Sequence, residues 1–194
     1  DRLRSRGLGD VYKRQHQYIK SLSNLETLVR APGIFKYQKH SVAEHSFKVT
    51  QMAQFLGDVE ENKGNKVNWQ SLYEKALNHD YNERFIGDIK TPVKYATPKL
   101  RSMLADVEDS LSESFVNTEI PSEFRSAYRR RLSEGKDDTL EGKILSVADK
   151  IDLLYESFGE IQKGNPEATY EEIYKESLST CLLYTSDAAD DMQC

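Results

Sequence analysis

The sequence predicts an all-α protein, organised as a single-domain helical bundle. Three observations lead there. Apolar residues recur at three- to four-residue spacing in segment after segment, capping and breaking residues punctuate those segments, and no stretch of useful length alternates in the manner of a strand. With 194 residues, 38% of them hydrophobic and 30% charged, one sizeable core is expected. No repeat period and no low-complexity linker divides the chain.

The elements follow in order. A first helix is expected over His16–Leu28, stopped before Pro32-Gly33. Ser41-Val-Ala-Glu44 reads as a capping box, with Ser41 as the cap and Glu44 reaching back. The helix it opens carries Val42, His45, Val49, Met52 and Leu56 as one stripe. Asn68 can cap the next helix, through Leu72 and Ala76 to His79 and Asp80. Gly87 and Pro92 interrupt the pattern, and Thr97-Pro98 restarts it with a cap followed by proline in the first turn. Helices are expected over Ser122–Ser133 and Thr139–Lys163, the second ended by Gly164-Asn165-Pro166. A second capping box, Thr169-Tyr-Glu-Glu172, opens the last one.

Both ends carry a different signal. Asp10–Gln15 back-translates to the transposon end used in sequencing-library preparation, and the reverse complement of that DNA encodes Cys181–Ser186. Residues 1–15 and 181–194 are therefore read as translated adapter, and the domain is expected over residues 16–180. That span contains no cysteine, which excludes thiol chemistry and agrees with a cytoplasmic location. No apolar run reaches the roughly 20 residues that span a bilayer, so no membrane partner is expected. The formal charge of −5 argues against a nucleic-acid polymer as partner, whereas a small anion could still be held by a metal and a few local cations.

Chemistry enters where ionisable residues stand at apolar positions. His45 interrupts the Val42–Val49 stripe, His79-Asp80 follows Leu72–Leu77, and Asp149 breaks the hydrophobic run Ile144–Leu154. A buried carboxylate without a cation or donors costs several kcal/mol, about the energy of a whole marginal fold. Each has an ordinary reading: a hydrogen-bonded core histidine, a chance dipeptide, or a salt bridge of Asp149 with Lys150. One divalent metal answers all of them together, as a mixed imidazole and carboxylate site. Mn, Co, Fe, Mg and Zn all suit such donors. Glu83, four residues after His79 and three after Asp80, would share their helix face and could position or deprotonate an attacking water; elsewhere it would be a solvated glutamate. Asp88 follows Gly87 in a break, and Arg30 and Lys94 are candidate phosphate contacts or ordinary surface cations.

At these residues the chain resembles the HD-domain superfamily and, within it, the YfbR-like 5'-deoxynucleotidase family. Its anchors are Arg30, Ser41–Ser46 with His45, the block His79-Asp80-Tyr-Asn-Glu83 through Gly87-Asp88 to Thr91-Pro-Val-Lys94-Tyr95, and Ala148-Asp149. The resemblance implies an HD-type bundle that removes the 5'-phosphate from (deoxy)nucleoside monophosphates. It implies metal ligation by His45, His79, Asp80 and Asp149, with Glu83 acting on the water. Asp88 then falls on an acidic residue associated with the sugar, Arg30 on a phosphate-binding arginine, and the assembly is a homodimer. One position departs: better-known members carry Trp after that arginine, and this chain has Ala31 in the substrate pocket. Two alternatives stand beside this reading. One is an HD phosphohydrolase for a triphosphate, cyclic nucleotide or other phosphate ester; the other is a catalytically silent ligand-sensing module.

Overall fold

The computed structural model describes residue 16, residues 18–89 and residues 91–190. The expected adapter segment 1–15 lies outside the described residues, as do residues 191–194. Among the described residues there are helices and no strands; the single isolated bridge joins Val29 to Ser41. The all-α expectation holds. No described helix is long and apolar enough to cross a membrane.

The helices are α1 (residues 18–27), α2 (Val42–Asn62), α3 (Trp69–Asn78), α4 (Glu83–Ile86), α5 (Thr91–Lys94), α6 (Pro98–Glu119), α7 (Arg125–Ser133), α8 (Leu140–Gln162) and α9 (Thr169–Asp190). A 3-10 turn, Ser122–Phe124, leads into α7. Several starts are those the sequence signals. The Asn68 side chain accepts from Ser71 N–H at 3.1 Å, Thr97 from Leu100 N–H at 3.1 Å, and Thr139 from Gly142 N–H at 3.1 Å. Each cap satisfies a first-turn amide that the helix itself cannot. The start of α9 differs by a residue: Thr169 is already helical, and the Tyr170 and Glu171 amides bond to the carbonyls of Glu167 and Ala168.

A larger difference concerns the segment after α3. His79, Asp80 and Glu83 do not continue one helix. Regular α-winding stops at Asn78, and residues 79–82 turn more tightly, with Tyr81 N–H bonded to Asn78 O and Glu83 N–H to Asp80 O. Three residues of the run, Asn78, Asp80 and Asn82, have short polar side chains that compete with helical bonding. Glu83 then opens the one-turn α4, which Gly87 closes at φ 80, a conformation glycine reaches without a Cβ clash.

The chain forms two compact units. One takes in α1 through Pro32, Ser41–Ala43 and Asn78–Glu134. Its core is Leu25, Val42, Tyr81, Phe115, Val116 and Ile120, flanked by Tyr18, Leu22, Phe85 and Tyr128. The Arg84 guanidinium lies 4.4 Å from the Phe115 ring centre and 4.7 Å from that of Phe85, and bonds Tyr81 Oη at 2.6 Å. Aromatic faces thus accommodate a cation that is only 5% exposed.

The other unit takes in Gly33–His40, Glu44–Leu77 and Gly135 onward. Val49 and Ala53 of α2, Leu72 and Ala76 of α3, and Ile144, Leu145 and Ala148 of α8 meet with Val67 in its core. α9 packs along α8. Glu160 of α8 fastens the 33–40 segment, accepting from Tyr37 N–H and Gln38 N–H at 2.9 Å each and from Asn165 Nδ2 at 2.6 Å. Tyr170 Oη adds a bond to Phe35 O at 3.2 Å.

Candidate metal centre

His45 lies one turn into α2, where the stripe that buries Val42 and Val49 also buries the imidazole to 1% exposure. α8 brings two carboxylates to it from one turn. His45 Nε2 is 3.1 Å from Asp149 Oδ1, and Nδ1 is 2.7 Å from Asp152 Oδ2. Asp149 does not pair with its neighbour Lys150, which reaches Glu176 at 2.9 Å; its second oxygen meets Lys136 Nζ at 2.5 Å. The other oxygen of Asp152 has Lys48 Nζ at 3.9 Å. Asp152 also lines a groove of about 720 Å³ with Phe47, Met52, Phe55 and Tyr155.

In the first unit, the tight turn after α3 presents His79 and Asp80 side by side, with His79 Nε2 3.3 Å from Asp80 Oδ2. Arg30 Nη1 lies 3.0 Å from the same Asp80 oxygen. The next residue, Ala31, has φ 46, the left-handed region that a Cβ disfavours. Its amide donates to Asp88 Oδ2, so Asp88 pins the backbone that carries Arg30. Arg30, Ala31, His79, Asp80 and Asp88 thus form one connected set. Glu83 is tied into it through its own amide, bonded to Asp80 O at 3.1 Å. Lys94 is engaged by Glu108 of α6, at 2.9 Å.

The donor geometry can be tested against a metal. Bonds of 2.0–2.2 Å to imidazole nitrogen and carboxylate oxygen, opening at tetrahedral or octahedral angles, place adjacent donors roughly 3.0–3.4 Å apart. The His45–Asp149 and His79–Asp80 separations of 3.1 and 3.3 Å both fall there. Each pair, taken by itself, fits a divalent cation. The Asp152 contact is shorter and is the length of a charge-assisted hydrogen bond.

Asp152 is the residue that sequence reasoning missed. A signal was present: it lies three residues after Asp149 in the same hydrophobic run, hence on the same helix face.

The family model of the YfbR-like 5'-deoxynucleotidases matches residues 17–190. The chain belongs to this family. A 5'-deoxynucleotidase of Photorhabdus laumondii is 28% identical over 151 residues, covering 77% of this chain and 76% of that protein. The 5'-deoxynucleotidase YfbR of Escherichia coli is 26% identical over 155 residues, covering 79% and 77%. Among solved structures, an HD-domain phosphohydrolase from Listeria innocua superposes with a TM-score of 0.82 at 65% identity, over 88% of this chain and 81% of that one. A cyanophage S-2L HD phosphohydrolase, solved bound to dA and one catalytic Zn²⁺, shares the fold at a TM-score of 0.60 and 17% identity, over 84% and 80%. As a member of this family the chain has the all-α HD fold.

Proposed function

We propose that this protein is a metal-dependent phosphohydrolase that removes the 5'-phosphate from (deoxy)nucleoside monophosphates. In this reading His45, His79, Asp80 and Asp149 hold one divalent ion. The observation that carries it is the pair of His–Asp separations, 3.1 and 3.3 Å, at metal-ligand spacing in a 5'-deoxynucleotidase family member. The cyanophage protein, solved with dA and a catalytic Zn²⁺, lends support for a nucleoside-sized ligand beside a metal.

When bound, the ion supplies Lewis-acid polarisation of the phosphoryl group. The chain supplies the rest. Water oxygen joins phosphorus as the bond from phosphorus to the 5'-oxygen breaks; Glu83 positions the water and takes its proton, and the departing 5'-oxygen takes up a proton from solvent to leave as the nucleoside hydroxyl. Arg30, with five donors in a planar fork, neutralises the phosphoryl oxygens. Asp88, by holding the Ala31 amide, keeps that arginine in place and stands at the sugar side of the pocket. Lys94 adds positive charge for the phosphate. A homodimer in the cytoplasm, with small nucleotides rather than nucleic acid as partners, completes the proposal. Ala31, where better-known members have Trp, makes the sugar preference a property to be measured on this chain.

The test is phosphate release from ribo- and deoxynucleoside monophosphates with Mn²⁺, Co²⁺ or a chelator. Release that requires the ion and is abolished by Asp80→Ala is the expected outcome. Turnover that survives both chelator and D80A would refute the site. Bound metal without release from any nucleotide would move the substrate to another phosphate ester or favour the sensing module.

A further inference from the structure

We propose that Asp152 is a positioning residue for the metal centre: it holds the proton on His45 Nδ1 so that Nε2 is presented bare to the ion. The inference rests on His45 and Asp149 being ligands, as proposed above.

One turn of α8 brackets a single imidazole. Asp149 and Asp152, three residues apart on one helix face, stand at its two nitrogens. The two distances differ in the sense that assigns their roles. At 2.7 Å, Nδ1 and Asp152 Oδ2 are at the length of an N–H donating to a carboxylate. At 3.1 Å, Nε2 and Asp149 Oδ1 are at the spacing of two donors that share an ion. A histidine can ligate through either nitrogen, and the bond made by the other decides which. The ring is 1% exposed and Asp152 is 11% exposed, so water competes weakly for Nδ1 and the carboxylate sets the tautomer. Lys48, 3.9 Å from the second Asp152 oxygen, favours the ionised acceptor. A carboxylate in this place also makes the imidazole a stronger donor to metal.

The experiment uses the full chain and Zn²⁺. Chelator competition should find Asp152→Ala binding the ion about 10–100-fold more weakly than wild type, the range for loss of such an outer partner. On zinc-loaded wild type, nitrogen-15 correlation spectra should show His45 with a protonated Nδ1 and a metal-shifted Nε2. The same spectra of zinc-loaded D152A should lose or shift the Nδ1 proton signal, a change that loss of a mere helix brace would not produce. Wild-type affinity in D152A, or His45 ligating through Nδ1, overturns the assignment. Wild-type protein that takes up no metal overturns the metal reading itself and this inference with it; uptake by wild type that is lost in His45→Ala and unchanged in D152A strikes only the role of Asp152.

Discussion

Ala31 holds a conformation that its side chain resists. At φ 46 its Cβ is crowded by backbone, a cost of roughly 1–2 kcal/mol for a non-glycine residue, and the bond from its amide to Asp88 helps to offset it. Ala31→Gly removes the clash and gives back part of the gain as unfolded-chain entropy. We expect a net stabilisation of about 1 kcal/mol, a rise of about 2–4 °C in Tm by thermal unfolding; a fall in Tm would show that the strain is illusory. This is also the scale at which the sequence was most and least informative. His45, His79, Asp80 and Asp149 announced themselves as ionisable groups at apolar positions. Asp88 could be placed beside the pocket but not on an amide, because a backbone donor leaves no mark on residue type. Asp152 left a signal, its three-residue spacing from Asp149 in one hydrophobic run, but the ring it pairs with belongs to a distant segment and only the structure shows it.

Among the elements, α8 does the most. It supplies both carboxylates around His45 and, two turns later, Glu160, whose side chain replaces the missing partners of a non-repetitive segment. Burial opposes ionisation of Glu160, yet the Tyr37 and Gln38 amides, Asn165 and the Lys163 charge outweigh it and hold the carboxyl below its ordinary value. A group depressed in this way stabilises the fold above the usual carboxylate range, and the stability is lost as pH falls through the lowered value. Glu160→Gln should therefore cost about 2 kcal/mol at pH 7, since buried donors lose a charged acceptor. Denaturant midpoints of wild type and E160Q should draw together as pH falls below the usual carboxylate range and through the lowered Glu160 value; a gap independent of pH would remove the charge from the explanation. Element boundaries were legible wherever a cap marked them, as at Asn68, Thr97 and Thr139. The tight turn at 79–82 was not, because tightening from four-residue to three-residue bonding changes the geometry while keeping nearly the same side-chain periodicity.

At the level of the whole molecule, an ion that binds the folded chain alone must stabilise it by mass action. Free metal at about 100 times its Kd contributes about 2.7 kcal/mol. A scan of Tm against Zn²⁺ or Mn²⁺ should therefore climb by about 5–10 °C, fall back with chelator, and stay flat for Asp80→Ala. A flat wild-type curve would contradict the proposed centre. The all-α class was legible from periodicity alone. The two compact units were not, because the chain passes between them five times and two of those divisions fall inside helices, between Ala43 and Glu44 of α2 and between Leu77 and Asn78 of α3. A division inside a continuous helix needs no linker, so composition carries no trace of it.

The fastening of the 33–40 segment has a consequence for how the chain comes to be folded. Its anchors lie far downstream: Tyr37 and Gln38 wait for Glu160, 123 and 122 residues later, and Phe35 for the hydroxyl of Tyr170, 135 residues later. Contacts of such long separation close slowly and late. During synthesis, the stretch joining α1 to α2 must travel without its final partners until Glu160 and Tyr170 have emerged, while α2 and α3 can wind at once.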